Sequence, residues 1–132
     1  MNEKTLTVSG QSIAFDLTPN TALQLDSEVK SVYGSVFDYL DSTVAIDYAL
    51  FVAAKRKGYE GDFEAFTQLI EQVEDDELSA LIAEIKPVLV FFMQNLLRNA
   101  KRQKLITKEG AQALMEVWLK PFEQLAGTVA GS

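Results

Sequence analysis

The chain contains no cysteine and no histidine among its 132 residues. Without cysteine there are no disulfides, thiolate metal sites or thiol nucleophiles, which agrees with a reducing compartment. Without histidine the commonest general base and the commonest metal ligand are missing together. An enzyme built on this sequence would need carboxylates, lysine or tyrosine for every proton transfer. No cofactor or metal site is expected, and no catalytic residue can be named. Long apolar runs are lacking as well. The run Pro87 to Met93 is followed by Gln94 and Asn95 and falls short of the roughly 20 residues of a membrane helix. The opening MNEKTLTVSG carries no apolar signal core, so the expected location is cytoplasmic.

What is present suits one folded domain. Hydrophobic residues make up 48% and charged residues 23%, a balance that argues against both disorder and a fibre. In TLTVSGQSIAFDLT the apolar residues alternate, Leu6 and Val8, then Ile13, Phe15 and Leu17, with Ser9 and Gly10 between the runs. Period-two alternation around a glycine-containing turn is a hairpin signature. A lone hairpin is marginal in water, so helices must cover its apolar face.

Helical signals follow. Thr18-Pro19-Asn20-Thr21 is a helix start, with apolar positions at Ala22, Leu23, Leu25, Val29 and Val32 and a stop at Gly34. A short helix is expected over 36–40, and Asp41 or Ser42 can cap the next, which runs to Lys55-Arg56-Lys57 and Gly58. Cations in the last turn followed by glycine are a C-terminal signature. Asp62 can cap a helix bearing Phe63, Phe66 and Ile70. The acids Glu74 to Glu77 form either a loop or the start of the next helix. Pro87 predicts a kink or a fresh start near Lys86. In the segment beyond it Val88, Leu89, Phe92, Met93, Leu96, Leu97 and Ala100 share one face, whereas Val90 and Phe91 point elsewhere. Thr107 can cap a final helix with a stripe from Ala111 to Leu125, bent or ended by Pro121. The expected fold is therefore mainly α with a small β part, an N-terminal β-hairpin (about 4–18) packed on a bundle of five or six helices (about 19–126). It forms a single domain over 1–126 with a frayed tail at 127–132.

Charge is segregated. Residues 60 to 84 hold nine acidic side chains and no basic one, and residues 98 to 108 hold five basic side chains and no acidic one. Solvated faces explain most such runs. The two blocks can also face each other between helices or between subunits of a homo-oligomer. A net charge of −7 and the absence of aromatics within RNAKRQK weigh against nucleic acid. A protein partner is the better expectation. Phe91, Phe92, Met93, Met115 and Trp118 are the candidate partner-binding residues, with Arg98, Lys101, Arg102 and Lys104 as a charged rim. The alternative is a small helical regulator or adaptor that binds nucleic acid or a protein through 98–108.

The hairpin TLTVSGQSIAFDL, the helix start TPNTAL and the Val32-Tyr33-Gly34-Ser35 turn leading into DSTVAIDYALFVAAKRKGY together resemble the tail assembly chaperones of long-tailed bacteriophages, over roughly residues 3 to 80. The resemblance implies a non-enzymatic protein of phage or prophage origin in the bacterial cytoplasm. Its implied partners are the tape-measure and tail-tube proteins, which it would assist during tail assembly. It supplies no catalytic residues to carry over, and the C-terminal third, including Trp118, lies outside it.

Overall fold

A computed structural model describes residues 3–33, residue 39 and residues 45–130. The alternating segments form β1 (Glu3–Val8) and β2 (Gln11–Asp16), paired antiparallel with Leu6 opposite Ile13 and Val8 opposite Gln11. Ser9 and Gly10 are the two turn residues, both with positive φ (51° and 78°). A two-residue turn with both φ values positive matches the twist of the strands, and glycine adopts it without strain. Leu6, Val8, Ile13 and Phe15 are buried while Thr5, Thr7 and Ser12 are exposed or half-exposed, so the period-two reading holds at each of the apolar positions.

Five helices follow among the described residues: α1 (Pro19–Tyr33), α2 (Ala45–Arg56), α3 (Phe63–Ile70), α4 (Asp75–Arg102) and α5 (Lys108–Ala130). The short helix expected over 36–40 and the cap at Asp41 or Ser42 fall outside the described residues, apart from helical Tyr39. Every residue of α2 from Tyr48 to Ala54 is buried. A helix apolar on all sides belongs in the middle of a fold, and here β2, α1, α3 and α4 all pack on α2. Edge-to-face and tilted ring contacts knit this centre together. Phe66 lies 6.2 Å from Phe15, 5.6 Å from Phe51 and 5.6 Å from Tyr59 between ring centroids.

Helix ends follow their chemistry. Asp62 accepts a hydrogen bond from the Ala65 amide at 2.8 Å and caps α3. The Thr107 hydroxyl accepts one from the Gly110 amide at 3.0 Å at the start of α5. The acids Asp75, Asp76 and Glu77 occupy the first turn of α4, where the helix dipole favours them. At the end of α2 the Tyr59 amide donates to the Ala54 carbonyl and the Gly58 amide to the Lys55 carbonyl, with Gly58 at φ 100°. These two bonds make a Schellman cap. The end of α4 repeats the geometry: the Leu105 amide donates to Ala100 and the Lys104 amide to Lys101, but here the left-handed residue is Lys104, at φ 61°.

The break expected as one outcome at each of the two prolines does not occur. Pro87 does not divide its segment, because α4 is one 28-residue helix running through it. Proline deprives the carbonyl four residues earlier of its donor. Pro87 and Ala83 both lie on the exposed side, so water can satisfy that carbonyl. Pro121 likewise leaves α5 unbroken, and the helix passes Gly127 to end at Ala130; Val117, four residues before the proline, is also exposed. As an undivided helix, α4 is long and apolar enough to cross a membrane by length and composition, although 44% of its most apolar window is buried inside this fold.

A polar knot joins the hairpin to the helices. The Asp16 carboxylate accepts hydrogen bonds from the Thr18 amide (3.0 Å), the Thr18 hydroxyl (2.7 Å) and Arg56 Nε (2.6 Å). The Thr21 hydroxyl donates to the Asp16 carbonyl at 2.6 Å, and Arg56 Nη1 donates to Gln24 at 2.8 Å. Burial works against the charged form of Asp16, but the bonds from Arg56 and Thr18 outweigh it and hold its carboxyl below the usual carboxylate value. A carboxylate whose acidity rises on folding stabilises the fold above its unfolded pKa and loses that contribution as pH falls through the folded one.

Replacing Asp16 with alanine should cost about 2–3 kcal/mol near neutral pH, in line with loss of charge-assisted hydrogen bonds. In urea titrations the gap between wild type and Asp16→Asn should narrow as the pH falls below about 4. A gap that is constant with pH would count against this role. Lys104→Gly should raise stability by roughly 0.5–1 kcal/mol, because a left-handed position suits glycine; thermal melts report the shift.

Candidate functional site

The C-terminal half of α4 borders two surface depressions, one on each flank. On the first flank, α1 and α4 enclose a cleft of about 330 Å³. Its position follows from the α1 pattern. Ala22, Leu25 and Val29 recur every three or four residues and are buried, whereas Leu23 lies off that stripe and is 59% exposed. Leu23 stands at one side of the cleft and Leu105, 72% exposed, at the other, with Phe92, Leu96 and Ala100 between them. The only other large apolar side chain so exposed among the described residues is Val117. Leu105 is placed by the cap of α4: the turn at Lys104 reverses the chain and swings the next residue outward. Asp26, Asn95, Asn99 and Gln103 supply the polar lining. An open apolar cleft with amide and carboxylate groups at its edge offers burial for a partner's apolar side chains and hydrogen bonds for its polar ones.

The second flank lies between α4 and α5, a shallower groove of about 420 Å³ lined by Leu97, Ala111 and Met115 together with the cations Arg98, Lys101 and Lys108. No carboxylate lines it. Arg98 Nη1 donates to Asn95 at 3.2 Å, which steadies the guanidinium along the helix.

The sequence-predicted partner residues divide between interior and surface. Phe92, Met93 and Trp118 are buried, at 3%, 2% and 4% exposure, and belong to the main core. Phe91 and Met115 are half-buried at its margin. Met115 faces the basic groove, and Phe92 forms part of the floor of the apolar cleft. The five are therefore not brought together as one open surface. Of the predicted rim, Arg98 and Lys101 line the basic groove, while Arg102 and Lys104 are exposed at the end of α4. Sequence reasoning missed Leu23 and Leu105. Both carried a signal: Leu23 breaks the spacing of the α1 stripe, and Leu105 is an isolated apolar residue beyond the last cations of a helix.

Groups with shifted acidity lie elsewhere. Burial pushes Asp47 up in the first turn of α2, and burial together with the neighbouring charge of Asp62 pushes Tyr59 up. Neither these nor Asp16 lines either depression beside α4. Among the described residues no three carboxylates converge to hold a metal ion. What the arrangement offers is surface for contact: an apolar cleft on one side of α4 and a cationic groove on the other. No protein-family model, no curated protein and no solved structure matches this chain.

Proposed function

We propose that this protein is a non-enzymatic tail assembly chaperone of a long-tailed phage or prophage, acting in the bacterial host cytoplasm. It holds amphipathic helical segments of the tape-measure protein, and tail-tube subunits, while the tail is built. The observation that carries the reading is the α1–α4 cleft, where Leu23 and Leu105 stay in water on either side of an apolar floor. Leaving two leucines exposed forgoes roughly 1.5–3 kcal/mol of burial for each, a cost that a partner helix would recover on docking. Helix-in-groove recognition uses apolar anchors spaced along one face of the incoming helix, with polar groups fixing its orientation; Asp26, Asn95, Asn99 and Gln103 are placed for that second task. The resemblance carried by the N-terminal half of the sequence supports the same reading.

A second reading, a small helical regulator or adaptor binding nucleic acid through 98–108, is favoured by one observation, the convergence of Arg98, Lys101 and Lys108 on a groove without carboxylates. Net charge opposes it, since phosphate binding depends on a positive field.

The double substitution Leu23→Lys, Leu105→Lys should leave the circular dichroism spectrum and melting temperature nearly unchanged while weakening capture of a tape-measure fragment by about tenfold or more. Undiminished capture would reject the cleft as the holding surface. In gel-shift titrations the wild-type chain should show no retention of DNA or RNA at physiological salt. Retention that weakens with salt and vanishes on replacing Arg98, Lys101 and Lys108 would favour the second reading instead.

A further inference from the structure

The outward face of α4 adjoins the basic groove, with which it shares Arg98 and Lys101, and its charge is ordered along the helix. At 3.6 residues per turn, Asp76, Pro87, Phe91, Lys101 and Arg102 fall within one stripe about 100° wide. Glu77 borders it. All are exposed except Phe91, which is half-buried. Glu84 and Arg98 fall on the same stripe. The acids Asp76, Glu77 and Glu84 all precede Leu89 and the cations Arg98, Lys101 and Arg102 all follow it, with Pro87 and Phe91 between the two groups.

The sign of the charge reverses about one point, although Glu84 and Arg98 mirror the uncharged Gln94 and Ala80. Asp76 and Arg102 each lie 13 positions from Leu89, Glu77 and Lys101 each lie 12, and Pro87 and Phe91 each lie 2. We infer that this face of α4 binds the same face of a second copy of the chain, antiparallel, across a two-fold axis near Leu89. In that arrangement each copy sets Asp76 and Glu77 against the other's Arg102 and Lys101, and Pro87 and Phe91 pack at the centre. A two-fold contact must be self-complementary, and a parallel pairing would stack like charges at both ends, which costs energy. The charge order on one helix therefore selects both the partner and its direction.

Size sets the strength. A face about 40 Å long and 10 Å wide yields roughly 400 Å² per copy, about half that of a standard interface and in the range of weak, transient contacts. The dimer is accordingly transient and sensitive to salt, because exposed ion pairs are screened within about 10 Å at 0.1 M salt. The inference does not depend on the proposed chaperone role, since it uses neither the apolar cleft nor its leucines.

Sedimentation equilibrium of the full chain at hundreds of micromolar, a range suited to weak complexes, provides the test. The wild type should dimerise at about 20 mM salt and dissociate roughly tenfold more readily at about 500 mM. The paired changes D76K/E77K and K101E/R102E should each abolish self-association. An equimolar mixture of the two variants should form a heterodimer. Because the chain has no cysteine, single nitroxide labels can be placed through Gln94→Cys or Ala80→Cys. Antiparallel pairing puts the two copies of site 94 about 15 Å apart along the axis and those of site 80 about 27 Å apart. A monomeric wild type at low salt, a dimer unaffected by both charge changes, a mixture that stays monomeric, or equal label separations at the two sites would each overturn the inference.

Discussion

The structure depends first on how a buried carboxylate is satisfied. Asp16 stands at the end of β2, 7% exposed, where an unpaired charge would be costly. Three donors converge on it, two from Thr18 and one from Arg56, while the Thr21 hydroxyl takes up the backbone carbonyl of the same residue. Thus one side chain fixes the exit of the hairpin, the entry of α1 and the C-terminal end of α2. The consequence reaches further than the hairpin. With its first turn held in place, α1 buries Ala22, Leu25 and Val29 and presents Leu23 at the cleft it forms with α4. A second tie, Lys55 to Glu28 at 2.6 Å with the ammonium 5.1 Å from the Phe51 ring centre, joins α1 to α2 farther along.

Around that joint the fold has a division of labour set by hydrophobicity. α2 is the central helix and gives up all access to water between Tyr48 and Ala54. α4 is longer and has distinct sides. Its inner side, with Leu81, Ile85, Leu89, Phe92 and Met93, completes the core. Its outer side keeps charge at both ends, and its two flanks border the apolar cleft and the basic groove. The apolar run before four cations thus has a structural explanation. The run supplies the buried side of a helix packed on α1, α2 and α5, and the cations occupy its exposed last turns. Aromatic residues add to the rigidity of the first part of the fold, where Phe15, Phe51, Tyr59 and Phe66 form a continuous ring cluster.

Much of this was legible in the sequence, and the reasons differ from place to place. The hairpin was readable because a two-residue turn with Gly10 leaves period-two alternation uninterrupted on both sides. The end of α2 was readable because Lys55, Arg56 and Gly58 combine the dipole and the left-handed cap in four residues. The inner side of α4 was readable from spacing: Val88, Leu89, Phe92, Met93, Leu97 and Ala100 are all buried. Pro87 misled because the cost of a helical proline depends on whether the orphaned carbonyl reaches water, a fact about the surface that sequence does not carry. Trp118 and Phe92 were ambiguous for a related reason. Large aromatic side chains suit an interface and a core equally well, and only packing decides between them. Leu23 and Leu105 line the same cleft yet lie far apart in sequence, so no local pattern could pair them.

We propose contact with a partner, through the cleft between α1 and α4, as the way this chain works. Methyl-resolved nuclear magnetic resonance during titration with an amphipathic helical peptide from a tape-measure protein tests it most directly. The methyl signals of Leu23, Leu96 and Leu105 should move together and saturably, while those of Ile13 and Val52 in the core stay still. Shifts confined to residues around Lys108 and Met115, or none at saturating peptide, would contradict it.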